Sequence, residues 1–335
     1  MKIAIDAMGG DHAPEAVVAG VVTAAREKPE GRDLILVGDK ERIEEELARL
    51  AGGDLSNISI VHASQIVDMD ESPVIAIRRK KDSSIMKATS LVKEKKADAV
   101  VTAGNTGAAV IATRIKWRFL AGVKRPAIAM VLPSPNGLFI ILDVGATPEC
   151  EPSYLFQFAL MGGIYAKYIL NVSRPRVGML SLGKEESKGT ELTKGTVKLL
   201  QAYKGHFDFV GNVEGNDLFS NKTDVIICDG YVGNVVLKVC ERLGSVLQYL
   251  AKEEIMKSFW AKLGGLLMKP SLKRLAAKLH YAEYGGAPLL GVNGTCIICH
   301  GRSSAQAIKQ AINVAEYMII KDVNKHIVEV ISGNE

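Results

Sequence analysis

The sequence predicts an α/β protein built on a doubly wound, mostly parallel sheet. Short apolar strands alternate with helices along most of the 335 residues, and glycine-rich loops join several strands to the helices that follow. This alternation is typical of parallel sheets that helices cover on both faces, as in Rossmann-like folds. Ligands of such sheets bind beyond the carboxyl ends of the strands. We therefore expect the functional residues in the glycine loops.

The first strand–loop–helix unit lies at the N-terminus. Residues 2–6 form an apolar strand, residues 7–13 a glycine loop, and Pro14 occupies a position where helices often begin, before a helix over residues 15–25. The same unit recurs along the chain. Further strands are predicted at residues 33–37, 98–101, 139–143, 176–182, 223–228 and 295–299, and further helices at residues 40–50, 109–119, from 190, and 235–250.

One segment, about residues 241–280, departs from this alternation. Apolar residues at helical spacing precede an apolar tip between glycines and Pro270, which predicts a helical hairpin projecting from the body. No low-complexity linker divides the chain, so we expect one α/β domain over residues 1–335 that carries the hairpin as an insertion. The apolar tip comprises Phe259, Trp260, Leu263, Leu266, Leu267 and Met268.

The charge balance and the N-terminus limit the classes of function. Lys and Arg total 42 against 37 Asp and Glu, a mild excess that does not indicate nucleic-acid binding. No apolar run has the length of a membrane span, and Asp6 interrupts the hydrophobicity that a signal peptide needs. We therefore expect a cytosolic protein whose five cysteines are reduced.

The segment from Cys296 to His300 matches the Cys-x-x-Cys-His pattern of c-type haem attachment. Its β-prone residues lie between glycines, which predicts a buried strand that enters a turn. On a strand, Cys296 and Cys299 point to opposite faces and cannot form one metal or redox site. We interpret the match as coincidence.

Three glycine loops carry the residue types of an anion site. Each precedes a helix, whose first N–H groups and positive dipole end attract anions. The loop at residues 183–189 adds Lys184 and Lys188, which can hold a phosphate. The candidates in the other two loops are Gly104, Asn105, Thr106, Gly107, Asp229, Gly230, Gly233 and Asn234.

Asp11, His12 and His300 also lie in glycine-flanked loops after strands. For Asp11, as for Asp229, a capping role and a role in orienting substrate are both open. No spacing of His, Cys and Asp fits a zinc or iron site, so we expect no metal. Cys228 is interpreted as a buried thiol, with a nucleophile as the alternative. The P-loop, dinucleotide and nucleophile-elbow signatures are absent.

Taken together, these motifs resemble the bacterial acyl-ACP:phosphate acyltransferase family (PlsX) nearly from end to end. The opening nonapeptide at residues 6–14 is specific to that family. The other matching segments are at residues 78–81, 103–107, 142–146, 188–189, 211–214, 229–230, 233–235, 284–287 and 300–301. The chain departs from the family pattern at Thr147, Asn216, Cys299 and Arg302.

The resemblance implies transfer of a long-chain acyl group from acyl carrier protein to inorganic phosphate. The acyl phosphate would supply an acyl-phosphate:glycerol-3-phosphate acyltransferase in phospholipid synthesis. A phosphotransacetylase-like fold, a homodimer and a location at the inner face of the cell membrane are also implied. No cofactor and no nucleic acid are expected. Carried over by position, Lys188 and Asn234 serve the reaction, with Asn105, Asp229 and His300 around them.

Phosphate brings its own nucleophilic oxygens, so the reaction needs no acyl-enzyme. We hypothesise that loop amides and Lys188 bind phosphate, that Asn234 or Asn105 donates to the tetrahedral oxyanion, and that His300 protonates the departing thiol. Four alternatives stay open: a short-chain enzyme that uses acyl-CoA, a nicotinamide-dependent dehydrogenase, a membrane scaffold, and a covalent route through Cys228.

The hairpin tip favours shallow insertion among anionic lipids, because basic residues flank its apolar side chains. A dimer contact or internal packing is the alternative. The basic face of the hairpin and the run at residues 78–81 are both candidates for docking the acidic carrier protein.

Overall fold

The computed structural model describes residues 1–50, 52, 55–135, 137–279 and 285–333, and its strands form two sheets. The strands are β1 (Lys2–Asp6), β2 (Asp33–Gly38), β3 (Ile58–His62), β4 (Ala99–Thr102), β5 (Ala127–Ile128), β6 (Met130–Ser134), β7 (Gly137–Leu142), β8 (Arg176–Leu180), β9 (Asp208–Val213), β10 (Val225–Ile227), β11 (Ala287–Leu290) and β12 (Thr295–Ile298).

Helices connect most of these strands. They are α1 (Glu15–Glu27), α2 (Lys40–Arg49), α3 (Pro73–Arg79), α4 (Ser84–Lys93), α5 (Thr106–Trp117), α6 (Pro152–Ile169), α7 (Glu191–Ala202), α8 (Gly230–Met256), α9 (Phe259–Leu279), α10 (Ala305–Ile320) and α11 (Val323–Ile331).

Both sheets are mostly parallel, which confirms the predicted fold class. The seven-stranded sheet has the order β3-β2-β1-β4-β12-β11-β5, with antiparallel pairing only at β11. The five-stranded sheet has the order β6-β7-β10-β8-β9, with β6 antiparallel to β7. Parallel neighbours end at the same sheet edge, so the loops after β1, β4 and β12 converge at one edge and those after β7, β10 and β8 at another.

Alternation along the strands divides the core into two hydrophobic clusters. Ile3 and Ile5 of β1 belong to one cluster and Ala4 to the other. Cys299 and Cys296 are divided in the same way, and both are buried. This confirms that the two cysteines point to opposite faces, as the strand period requires.

The structure corrects three boundaries. Residues 106–108, predicted as loop, belong to the first turn of α5, which begins at Thr106. Residues 230–234, predicted as loop, form the first turns of α8, because Asp229 accepts a hydrogen bond from Val232 N and caps the helix at Gly230. The hairpin therefore begins well before residue 241. Its turn lies between α8 and α9, so the predicted apolar tip belongs to α9, and Pro270 lies inside that helix.

Ten of the described elements, five strands and five helices, were not predicted: β3, β5, β6, β9, β11, α3, α4, α6, α10 and α11. Residue 280, where we expected the hairpin to end, and Tyr284 of the family motif lie outside the described residues. Among the helices described, none combines the length and the hydropathy that crossing a bilayer requires.

Candidate active site between the two sheets

A cavity of about 290 Å³ lies where the carboxyl edges of the two sheets face each other. Residues from both sheets line it, with an apolar wall and a polar rim. The apolar wall includes Ile128, Met130, Val144, Pro148, Leu237, Ala287, Ile298 and Ala307, and the rim includes Thr106, Asn234, Lys238, Glu241, His300 and Ser303. An apolar cavity with a few convergent polar groups is the usual form of a small-molecule site.

Three helices begin at this cavity. Thr106 is the first residue of α5, and Gly230 and Tyr231 are the first two residues of α8. Ser303 lies just before Ser304, the N-cap of α10. All four residues line the cavity. In the part of the chain that the structure describes, the N–H groups of Thr106 and Tyr231 find no acceptor. Three positive helix ends, two of them with free N–H donors, make the rim suited to an anion.

A buried acid holds the loop that forms one wall. The carboxylate of Asp143 accepts hydrogen bonds from Ile128 N at 2.8 Å and from Thr147 N at 2.6 Å, and from Gly145 N and Ala146 N at 3.0 Å each. Burial raises the pKa of Asp143, and these four donors oppose that rise. All four bonds stay inside the fold, so Asp143 has a structural role in this loop.

Helix α8 packs directly onto that loop. A Cβ at Gly233 would lie 1.9 Å from the carbonyl oxygen of Asp143, so no side chain fits there. A Cβ at Gly230 would lie 2.5 Å from Asp143 Oδ2. The two glycines allow α8 to approach the end of β7 closely, and this approach brings the next helical residue, Asn234, to the cavity.

Asn234 carries the best-placed carboxamide of the site. It lines the cavity opposite Gly145. Its side chain makes no hydrogen bond with the described residues, so both amide hydrogens are available to a ligand.

Asn105 has a different role from Asn234. Its Oδ1 accepts from Ala108 N and caps α5, while its Nδ2 donates to the carbonyl oxygens of Asp68, Met69 and Glu71 at 3.0–3.3 Å. The side chain thus anchors residues 68–71 to α5. It would have to give up these bonds to donate to a reacting group.

His300 lines the cavity within a charged network that the sequence did not reveal. Its Nδ1 accepts a hydrogen bond from Arg302 N at 3.1 Å, and its Nε2 lies 3.7 Å from Glu241 Oε2. Glu241 also pairs with Lys238 Nζ at 3.0 Å. Both residues belong to α8. Lys238 was predicted only as part of the helix over residues 235–250, and Glu241 as part of that helix and of the hairpin; their spacing of three residues on a helix was the available signal.

The pKa of His300 is lowered from its ordinary value. Burial is the main cause, and the neighbouring cations Lys238 and Arg302 act in the same direction, while Glu241 and Asp11 oppose it. The imidazole is therefore neutral at pH 7. Since Nδ1 accepts from a backbone N–H, the neutral ring carries its proton on Nε2.

Lys188 does not line the cavity. It is exposed in the loop after β8, where its backbone N–H donates to Glu185 O at 3.0 Å. That loop leaves the same sheet edge as those of Asp143 and Asp229, since β8, β10 and β7 are parallel neighbours. Lys188 makes no ion pair within the described ranges, whereas Lys184 pairs with Asp217 at 3.3 Å.

The remaining candidates lie around the cavity rather than in its wall. Asp11 is exposed, and its Oδ2 lies 3.4 Å from Arg302 Nε. His12 is exposed beside it. Gly104 is buried against Gly9, and a Cβ at Gly9 would lie 2.6 Å from its nitrogen. Gly107 belongs to the first turn of α5. The structure thus brings together Thr106, Gly230, Asn234 and His300 of the predicted set.

Cys228 does not have the environment of a nucleophile. It is 1% exposed, and burial raises the pKa of its thiol well above the ordinary value. The nearby carboxylates of Asp143 and Asp229 raise the pKa further. A reactive cysteine needs the opposite, an exposed thiol beside positive charge. The geometry supports the buried, inert thiol.

Comparison with known proteins places the chain among acyltransferases. The family model described as "Fatty acid synthesis protein" matches residues 1–326. The chain is 51% identical over 331 residues to a phosphate acyltransferase from Pelotomaculum thermopropionicum, covering 98% of this chain and 95% of the relative. It is 48% identical over 333 residues to one from Heliobacterium modesticaldum, covering 99% and 98%.

Solved structures confirm the predicted phosphotransacetylase-like fold. A phosphotransacetylase from Streptococcus pyogenes aligns with a TM-score of 0.62 at 18% identity, covering 95% of this chain and 94% of the other. The EutD phosphotransacetylase from Staphylococcus aureus aligns with a TM-score of 0.60, also at 18% identity and over 95% and 94%. By sequence and by fold, the chain belongs to the fatty acid synthesis protein family and is an enzyme of the acyltransferase class.

Proposed function

We propose that this enzyme transfers a long-chain acyl group from acyl carrier protein to inorganic phosphate and so forms an acyl phosphate. The observation that carries the proposal is the convergence of three helix N-termini on one cavity with an apolar wall. Such a site can bind an anion at the helix ends and a hydrocarbon group against the adjacent apolar wall. The relatives named phosphate acyltransferase support the coarser part of the proposal, acyl transfer to phosphate.

Phosphate binds, in this proposal, at the rim where the three helices begin. The free N–H groups of Thr106 and Tyr231 donate to its oxygens, and the helix dipoles favour its charge. Lys188 reaches the same phosphate from the neighbouring loop, because its ammonium has a long, flexible stem and makes no ion pair with the residues described.

One phosphate oxygen attacks the thioester carbonyl, and the tetrahedral oxyanion forms beside Asn234. A well-placed oxyanion donor contributes about 3 kcal/mol to the stability of the transition state. Asn234 Nδ2 is one such donor, and the Nε2–H of neutral His300 is a second. The carbon–sulfur bond then breaks and the sulfur leaves as a thiolate. Thiols are weak acids, with a pKa of about 8.5 for cysteine, so the sulfur needs no strong acid to leave.

The hydrocarbon chain is expected to follow the apolar wall. Ile128, Met130 and Val144 line it from the sheets, and Leu237 from α8. Comparing palmitoyl carrier protein with acetyl-CoA tests this assignment. We expect a kcat/KM for the long-chain substrate at least 100-fold higher. Equal values would identify a short-chain enzyme, and oxidation of a substrate with a nicotinamide cofactor would identify a dehydrogenase.

We also propose that the enzyme works as a homodimer at the inner face of the cell membrane. Helix α9 exposes Phe259, Trp260 and Leu267 at 73%, 77% and 76% of their surfaces, together with Leu263, Leu266 and Met268. Exposed lysines, among them Lys262 and Lys269, flank these side chains. A basic, aromatic-bearing amphipathic helix suits the headgroup region of an anionic membrane. The product would pass to an acyl-phosphate:glycerol-3-phosphate acyltransferase there.

A further inference from the structure

Helix α3 presents a small basic and apolar surface beside the cavity. Val74 and Ile75 are 48% and 52% exposed, and Arg78 and Arg79 are exposed on the next turn. Neither arginine makes an ion pair within the part of the chain that the structure describes. We call these four residues the α3 patch. Exposed aliphatic residues beside unpaired arginines are typical of a protein-docking surface.

The α3 patch lies next to the reacting groups. Pro73, the first residue of α3, contacts α5: a Cβ at Gly107 would lie 2.6 Å from Pro73 Cγ. Just before α3, Met69 contacts the loop of His300: a Cβ at Gly301 would lie 2.8 Å from Met69 Cε. A partner bound to the patch therefore stands at the rim of the cavity.

The patch is held rigidly. Lys80, which follows α3, donates to Glu71 Oε1 and to Ile66 O at 2.6 Å each. This pairing raises the pKa of Lys80 and lowers that of Glu71. Asn105 holds the same segment through three carbonyl oxygens. Such preorganisation lowers the entropy lost on binding.

We infer that the α3 patch docks the acidic carrier protein that delivers the acyl thioester, an inference that rests on the proposed function. Its two arginines complement a negative protein surface, and its two aliphatic side chains fill a small apolar contact. Lipid is the poorer occupant, because the patch lacks aromatic residues and covers only two turns of helix, unlike α9. The assignment also gives Asn105 a function: it connects the docking surface to the catalytic helix α5.

Charge reversal tests the inference. We expect Arg78→Glu/Arg79→Glu to raise the KM for palmitoyl carrier protein at least about 10-fold, with kcat within twofold and the phosphate KM unchanged, because the patch acts in encounter and not in chemistry. The salt dependence of kcat/KM should weaken. Arg78→Gln/Arg79→Gln should give a smaller change in the same direction. The control Arg42→Glu/Lys198→Glu changes the net charge equally on α2 and α7 and should behave as wild type.

Direct binding separates this inference from the proposed function. Fluorescence anisotropy of labelled palmitoyl carrier protein reports docking even if no acyl phosphate forms. Weaker binding to the α3 variants than to the control supports docking, whatever the turnover. Equal binding by all variants overturns it, as does release of the α3 variants from anionic vesicles with unchanged binding of the carrier protein.

Discussion

His300 turns Nδ1 to its own loop, and its Nε2 lies 3.7 Å from Glu241 Oε2, which also lines the cavity. Because Nδ1 accepts from Arg302 N, the proton of the neutral ring resides on Nε2. Burial lowers the pKa of the ring, so at neutral pH His300 is a hydrogen-bond donor rather than an acid. This geometry favours donation to the oxyanion over protonation of the departing thiol, the role that we hypothesised from the sequence.

We predict that Glu241→Gln shifts the acid limb of the pH–kcat profile to lower pH. The neutral donor is present above the pKa of His300 and is lost as the pH falls through it. The carboxylate of Glu241 raises that pKa, so removing its charge lowers it further. The pH–kcat profiles of the wild type and of Glu241→Gln are measured at saturating phosphate. The control is Glu254→Gln, which removes an exposed carboxylate from the far end of α8. A limb that moves upward or not at all would contradict the role of His300.

The role of Lys188 can be tested with a single substitution. We expect Lys188→Ala to raise the KM for phosphate at least about 10-fold, since a hydrogen bond to a charged group contributes about 1.5–3 kcal/mol. Lys184→Ala is the matched control, because Lys184 lies in the same loop but pairs with Asp217. Initial rates over a range of phosphate concentrations give both constants. Equal effects of the two substitutions would remove Lys188 from the site.

Asn105 and Asn234 show what the sequence could not distinguish. Each lies among glycines shortly after a strand, so both were candidate donors to the oxyanion. The difference arises from distant residues: the carbonyl oxygens of residues 68–71 occupy Asn105, whereas no described residue occupies Asn234. Hydrogen bonds across more than 30 positions leave no local pattern.

At the scale of elements, α8 connects the site to the hairpin. Its second turn supplies Asn234 and its fourth turn supplies Glu241, and the helix continues to Met256. The sequence placed its start too late, because Gly230 and Gly233 look like loop residues. These two positions need glycine because α8 contacts Asp143 too closely for a side chain to fit.

That contact predicts opposite effects for two glycines of one helix. Gly233→Ala places a Cβ 1.9 Å from Asp143 O and should lower the free energy of unfolding by about 1–3 kcal/mol, with loss of activity. At Gly244 a Cβ meets nothing within 4 Å, so Gly244→Ala should stabilise the helix by up to about 1 kcal/mol. Chemical denaturation measures both. A neutral Gly233→Ala would show that α8 does not depend on this contact.

The exposed face of α9 makes a separate prediction. Leu266→Glu/Leu267→Glu should release the protein from anionic vesicles and leave turnover of soluble substrate largely intact, because both side chains are more than half exposed and neither lines the cavity. Leu199→Glu/Ile320→Glu, on exposed positions of α7 and α10, should still sediment with vesicles. Retained vesicle binding by the α9 variant, or its change of oligomeric state instead, would assign this face to a dimer contact.

For the whole molecule, the strand–loop–helix period was sufficient to predict a mostly parallel α/β fold. The division into two facing sheets was not predictable, because it depends on the short strand β5 joining one sheet and β6, two residues later, joining the other. The cavity forms between those sheets, from residues as distant as Thr106 and Ala307. The residue types in the loops therefore predicted an anion site. The residues that form the walls of the cavity could be identified only from the folded structure.

The most direct measurement follows thiol release and acyl phosphate formation from palmitoyl carrier protein by the purified enzyme, with and without inorganic phosphate. We predict that free thiol and acyl phosphate appear in equal amounts, only when phosphate is present, and that no acylated protein accumulates in its absence. Thiol released without phosphate, or an acyl group found covalently on the enzyme, would contradict direct attack by a phosphate bound at the three helix ends.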